Sequence, residues 1–321
     1  MTQSKFTVLF LLFILTFDIC YSQDESADTS SVEEKNPDWK MKSIFGLNTT
    51  QSSFTNWAAG GRNNIAGLGF VNAQADYSKG RVKWANLLNM ALGGIQYFDE
   101  GLQKTDDVFD FQSTFSYGSE KPWFLSALGG FRTQFIEGFS NPSDSLRSST
   151  FLAPGYGNVS LGLEYIPNDN IRIMVSPLSG KFTLVRDERL ANNGAFGVEG
   201  AEFDDEGNII TPGKMFRAEI GSYFRIIYAK EIMENIDLRT RIELFSNYIN
   251  NPQNIDVNSE LVMNFKINKW FSANLQAVLI YDDDIQITDR FGNTGPRTQF
   301  KQVIGLGISY RLANYKEKKK E

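Results

Sequence analysis

The chain has 321 residues, with 32 lysines and arginines against 38 aspartates and glutamates, a formal net charge of −6, and no histidine. The missing histidine excludes Ser-His-Asp hydrolysis, histidine acid–base work and histidine-ligated zinc or iron as these are usually built. An acidic chain without a clustered basic face also argues against nucleic-acid binding.

Residues 1–22 read as a signal peptide: Lys5 supplies the positive charge, Phe6–Phe17 is apolar apart from two threonines, and Cys20-Tyr21-Ser22 offers a cut before Gln23. The apolar run is too short for a membrane helix. Cleavage there removes the only cysteine, leaving neither disulfide nor thiolate chemistry. Residues 23–38 are acidic, Ser-rich and almost free of apolar side chains, and read as a disordered leader.

From 39 to 313 the sequence alternates apolar and polar residues in twelve segments. The gaps between them are alternately short (Ser78–Arg81, Gly118–Lys121, Pro167–Asn170, Lys230–Asn235, Asn268–Lys269) and more variable, with Gly138–Pro154, Asp187–Gly213 and Asp282–Arg297 the long ones. In the ninth segment Ile236, Leu238, Ile242, Leu244 and Tyr248 oppose Asp237, Arg239, Arg241, Glu243 and Asn247. In the last, Ile304, Leu306, Ile308, Tyr310 and Leu312 oppose Lys301, Gly305, Gly307, Ser309 and Arg311. A period of two is strand, and segments of roughly 10–18 residues exceed the usual globular strand of about 5–6 while satisfying a tilted membrane strand of ~9–11.

Aromatics form two bands: Tyr77, Tyr117, Trp123, Tyr165, Tyr228, Phe271 and Tyr310 beside the short turns, and Tyr97, Phe135, Tyr248 and Tyr281 at the opposite ends. Such girdles mark the two headgroup layers. The expected fold is therefore all-β, an antiparallel up-and-down transmembrane β-barrel of about twelve strands, with short periplasmic turns, long outer loops and both termini in the periplasm. Residues 314–321 form a polar, Lys-rich tail.

The polar faces carry both signs of charge. Glu219, Arg225, Arg239, Arg241 and Glu243 are the candidate lumen-lining residues, either neutralising one another in a packed interior or lining a solute path. Ser179-Gly180-Lys181-Phe182-Thr183 fails as a phosphate-binding loop, since it lacks the upstream glycine and has Phe in place of the metal-binding hydroxyl. Asp204, Glu206 and Asn208 around Gly207 present alternating oxygens but no complete calcium loop, and read as a solvated acidic loop. A Ser179/Lys181 dyad is too common an arrangement to signal catalysis. No catalytic residue, cofactor or metal site is expected. The expected partners are outer-membrane lipid and at most a small polar solute, and the sequence assigns no oligomeric state.

Two motifs, Trp57-Ala58-Ala59-Gly60-Gly61-Arg62-Asn63-Asn64 and Ser176-Pro177-Leu178-Ser179-Gly180-Lys181-Phe182-Thr183, resemble the DUF3078 proteins of Bacteroidota, as does the continuation Leu190 … Gly194-Ala195-Phe196-Gly197-Val198. The resemblance implies an outer-membrane barrel of undetermined task and supplies no catalytic residue. Read physically, Gly60 and Gly61 make the first outer turn with Trp57 as its anchor. Pro177 interrupts the seventh strand's ladder and Gly180 adds a bulge or kink, so that Pro177–Thr183 bends inward or packs the Asp187–Gly213 loop over the mouth. A structural or solute-conducting barrel is the leading reading. A surface protein acting through its long loops is the alternative, and a lipid-modifying enzyme is disfavoured by the absence of histidine.

Overall fold

The computed structural model describes residues 37–53, 62–98, 100–118, 122–139, 146–288 and 291–315. Twelve long strands run β1 (Trp39–Ser52), β2 (Asn64–Lys79), β3 (Val82–Tyr97), β4 (Leu102–Tyr117), β5 (Trp123–Thr133), β6 (Gly155–Asn168), β7 (Ile171–Leu184), β8 (Phe216–Met233), β9 (Ile236–Asn247), β10 (Asp256–Lys266), β11 (Phe271–Tyr281) and β12 (Gln299–Ala313). Each pairs antiparallel with its sequence neighbours, and β12 closes on β1 from Lys42↔Ala313 to Asn48↔Gly307. The result is the expected closed up-and-down barrel, which leaves no unpaired sheet edge.

Local chemistry explains the short turns. Gly80 takes a positive φ of 56° in the β2–β3 turn, a conformation that costs glycine nothing. The side chains of Asn168 and Asn268 each accept two backbone N–H bonds, from Asn170 and Ile171 and from Trp270 and Phe271, fixing Asx turns. Asn235, with φ 67°, turns β8 into β9, and β8 extends to Met233, past the Lys230 at which the alternation fades.

At the other end the connections are long and partly folded. The β7–β8 loop carries a short helix, α1 (Glu188–Asn192), capped by the Asp187 side chain. Leu190, Ala191 and Val198 of this loop bury themselves against Ala153 and Val185. Small hairpins occupy the β5–β6, β7–β8 and β11–β12 loops.

The two faces of the wall differ as the alternation requires. Ile304, Leu306, Ile308 and Tyr310 of β12 are all more than half exposed on the outer face, whereas Gly305 and Gly307 face in, beneath the side chain of Asn48. Outward rings pair near the short turns, Trp39 with Tyr77 at 5.2 Å and Trp123 with Tyr165 at 4.7 Å between centroids.

The seventh strand departs from the expectation of a bend. Its ladder does slip at Ser176–Leu178, opposite Gly162 on one side and Ser222 on the other, because proline has no N–H to give and the chain must bulge around it. Beyond the slip, however, Ser179–Leu184 rejoins both neighbouring strands. Pro177–Thr183 therefore stays in the wall, and Gly180 lies in regular register opposite Val159 and Ile220. The Asp187–Gly213 loop is held instead by Val185 and by Arg217, which donates to the Gly197 carbonyl.

Candidate functional site: a charged clamp across the lumen

Strands β4 and β9 stand on nearly opposite sides of the ring, with β5, β6, β7 and β8 between them by the shorter route. Alternation aims Asp110, Gln112, Thr114 and Ser116 of β4 inward, because Phe109, Phe111 and Phe115 claim the outer face. On β9 the same rule turns Arg239, Arg241 and Glu243 inward, and on β8 Glu219, Tyr223 and Arg225. A twelve-stranded barrel is narrow enough for long side chains to meet across it.

They do meet. The Arg241 guanidinium lies 2.6 Å from Asp110, 3.3 Å from Glu260 and 3.8 Å from Glu243. Arg225 donates to the Gln112 and Thr114 side chains of β4 at 3.3 and 3.1 Å and faces Glu164 of β6 at 3.5 Å. Glu243 accepts from Gln112, from the Tyr223 hydroxyl at 2.6 Å and from Asn258. Glu164 accepts from Ser116 and Ser126. Arg225 and Arg241 are only 2% and 4% exposed. Their charges are sustained because each faces a carboxylate of opposite sign, although Nη1 of Arg241 and Oε1 of Glu164 are buried without a hydrogen-bond partner among the described residues. Leu128, Met174, Tyr223 and Phe245 pack beside this network and fill one side of the lumen. The waist of the barrel is thus spanned by ion pairs and lined on one flank by apolar side chains.

The five lumen candidates fall as follows. Arg225, Arg241 and Glu243 form the clamp itself. Arg239 reaches across to Asn89 of β3 at 2.8 Å. Glu219 sits higher, near the long loops, where it pairs with Arg217 at 3.0 Å and lies 3.8 Å from Lys181. Lys181 is the side chain of the central motif with the most partners: its ammonium lies 2.6 Å from Asp256 and 2.7 Å from Asp282. Pro177 offers its carbonyl to the Tyr248 hydroxyl at 2.8 Å. Trp57, Gly60 and Gly61 lie outside the described residues.

Sequence reasoning missed the β4 half of the clamp. The signal was present in Asp110, Gln112 and Thr114 alternating with phenylalanines, but nothing in it named Arg241 or Arg225 as partners.

Oxygen clusters at the long-loop end resolve into internal pairings. Asp256, Asp282 and Asp283 bring carboxylate oxygens within 4.8 Å of one another, and the Lys181 ammonium bridges two of the three. Asp204 spends both oxygens on its own turn, accepting from the backbone N–H groups of Glu206 and Asn208 and from the Asn208 side chain. Those bonds, the Asn208 side chain foremost, hold its carboxyl below the usual range.

The chain is similar in fold to several solved barrels. They include the translocator domain of the autotransporter NalP from Neisseria meningitidis (8% identity, 87% of this chain and 90% of that chain, TM-score 0.36). An outer membrane channel from Pseudomonas putida F1 matches with 12% identity over 90% of this chain and 100% of that chain, TM-score 0.36. The NanC porin matches with 8% identity over 83% and 98%, TM-score 0.34. No curated protein matches the sequence. Residues 49–139 match the family model for DUF3078, protein of unknown function, which includes the first of the two sequence motifs and leaves the second beyond its end. Over that segment the resemblance to DUF3078 read from the sequence is shown.

Proposed function

We propose that this protein is an outer-membrane barrel, exported with a cleaved signal peptide and inserted with both termini and the short turns in the periplasm. Its lumen is a polar passage for small solutes held shut at the waist. The observation that carries this reading is the Arg241–Asp110 pair, which joins opposite walls. The outward apolar band, the aromatic rings near the short turns and the closed ladder support the membrane setting. We assign it no catalysis. Location is tested by fractionation: the protein should co-sediment with outer membranes and migrate faster in unheated than in heated detergent gels, and recovery as a soluble periplasmic species would refute it. Passage is tested by planar-bilayer conductance, where the intact clamp should keep openings rare and small.

A second reading, recognition of another surface component by the outer loops, is favoured by one feature. The β7–β8 loop has its own buried cluster yet presents Phe203, Ile209 and Ile210 to solvent, and a cleft of about 770 Å³ opens between it and the β5–β6 loop. Deletion of residues 202–211 should leave conductance unchanged and abolish such recognition.

A further inference from the structure

Three consecutive aspartates open the β11–β12 loop, and each holds a different part of the long-loop end. Asp282 accepts from the Lys181 ammonium of β7 at 2.7 Å. Asp283 accepts from the Asn254 side chain of the β9–β10 loop at 2.6 Å. Asp284 pairs with Arg217 of β8, whose guanidinium also donates to Glu219 at 3.0 Å and to the Gly197 carbonyl of the β7–β8 loop at 2.8 Å. Lys181 and Glu219 pair in register and meet on the inward face, and Arg217, two residues before Glu219, shares it. The connection therefore lies within the ring and spans it from β7 to β11.

The two long loops touch at this point. A Cβ on Gly197 would stand 3.4 Å from the Cβ of Asp284. Phe196 and Gly197 take left-handed backbone in succession, with φ of 60° and 82°, a conformation costly for the phenylalanine. The turn is held because Phe196 packs against the Ala153–Val185 cluster and Arg217 takes the Gly197 carbonyl. The β11–β12 loop has no such core: none of its described apolar side chains is buried, so polar contacts hold it down. They are also wetter than the clamp. The Arg217 and Asp284 side chains are 20% and 23% exposed, against 4% and 8% for Arg241 and Asp110. Water competes for an ion pair that it reaches, and a segment without buried apolar contacts opens locally at small cost.

We propose that Asp282-Asp283-Asp284 is the catch of a lid. The β7–β8 and β11–β12 loops are drawn together over the long-loop mouth, and Arg217 is the residue that locks them. The lid stands in series with the clamp, above Arg225 and Arg241, and is the barrier that opens first. A solute arriving from the long-loop side meets the latch before it meets the Arg241–Asp110 pair. The inference rests on the solute-passage reading for its purpose, and adds a second gate to it; the latch itself rests on the loop contacts.

The test places one thiol beneath the lid by Ile280→Cys, in the mature chain beginning after Cys20, the only cysteine. Ile280 pairs with Asn258, which faces inward onto Glu243, and lies two positions below Asp282 on β11. Its modification by a charged methanethiosulfonate, in neutral detergent with the clamp intact, should be slow. Adding Arg217→Gln should speed it about tenfold. Amide hydrogen exchange should rise together in residues 195–199 and 282–288 of the same variant, and stay unchanged in the β2–β3 ladder. Where Arg217→Gln does not recover the heat-modifiable folded form, Asp284→Asn, which keeps the shape and removes the charge, gives the same comparison. Fast modification with the latch intact, or an unchanged rate in the folded variants, would overturn the lid. Conductance of Arg241→Gln/Asp110→Asn protein, measured separately, decides the passage reading, so the two failures are distinguishable.

Discussion

The guanidinium of Arg241 on β9 lies 2.6 Å from the carboxylate of Asp110 on β4, 131 positions earlier in the chain and on the far wall of the barrel. Arg241 also faces Glu260 and Glu243, so its removal takes the cation from Asp110 and weakens the neutralisation of two further carboxylates. Arg241→Gln should lower unfolding stability in detergent by about 3–5 kcal/mol. Adding Asp110→Asn should cost less than the sum of the two single changes, as for any coupled pair. Urea titrations of the four proteins in a double-mutant cycle measure this; strict additivity would show that the pair is not coupled.

Lys181 acts as a tethered counter-ion. Lys181→Met leaves Glu219, Asp256 and Asp282 facing one another, and their repulsion should lower the melting temperature in chelator by several degrees. Calcium should then restore part of the loss in the variant and leave the wild type unmoved, because in the wild type the ammonium already occupies that position. A wild-type melting temperature that rises with calcium would contradict this assignment.

The outer face predicts a depth-dependent response to charge. Leu306 lies midway along β12 and faces outward, so Leu306→Arg should destabilise the protein in phospholipid by about 2–4 kcal/mol, and Leu312→Arg, nearer the end of the strand, by about 0–1 kcal/mol. Equal and small effects at both positions would contradict a lipid-facing outer surface.

The β1–β12 seam depends on two glycines in different ways. A Cβ on Gly307 would stand 2.2 Å from the backbone oxygen of Leu47, whereas one on Gly305 would meet the Asn48 side chain. Backbone cannot step aside and a side chain can rotate. Gly307→Ala should therefore destabilise by about 1–3 kcal/mol and Gly305→Ala by less, read from unfolding midpoints.

The fold was largely legible because the strand code is local. Ile236 to Asn247 and Ile304 to Leu312 each declare their two faces by polarity, and Asn168, Asn235 and Asn268 mark their own turns. The code failed where a third body intervenes: Phe245 is apolar yet points inward, because it packs with Leu128, Met174 and Tyr223 on an apolar flank of the lumen. Pro177 announced a broken ladder but not its outcome, since a one-position slip is enough to absorb a missing N–H. The clamp was half legible. Alternation assigns Arg225, Arg241 and Glu243 a face, but partners across a closed barrel are set by stagger and strand tilt, which no single strand encodes. For the same reason the three carboxylates around Lys181, drawn from β8, β10 and the β11–β12 loop, were not visible as a group.

If the Arg241–Asp110 pair holds the lumen shut, single-channel recording in planar bilayers reads the closure. Wild-type protein should give rare, small openings, and folded Arg241→Gln/Asp110→Asn protein discrete openings at least several-fold larger. A wild type that conducts steadily at the level of the double variant would contradict a lumen closed by Arg241 and Asp110.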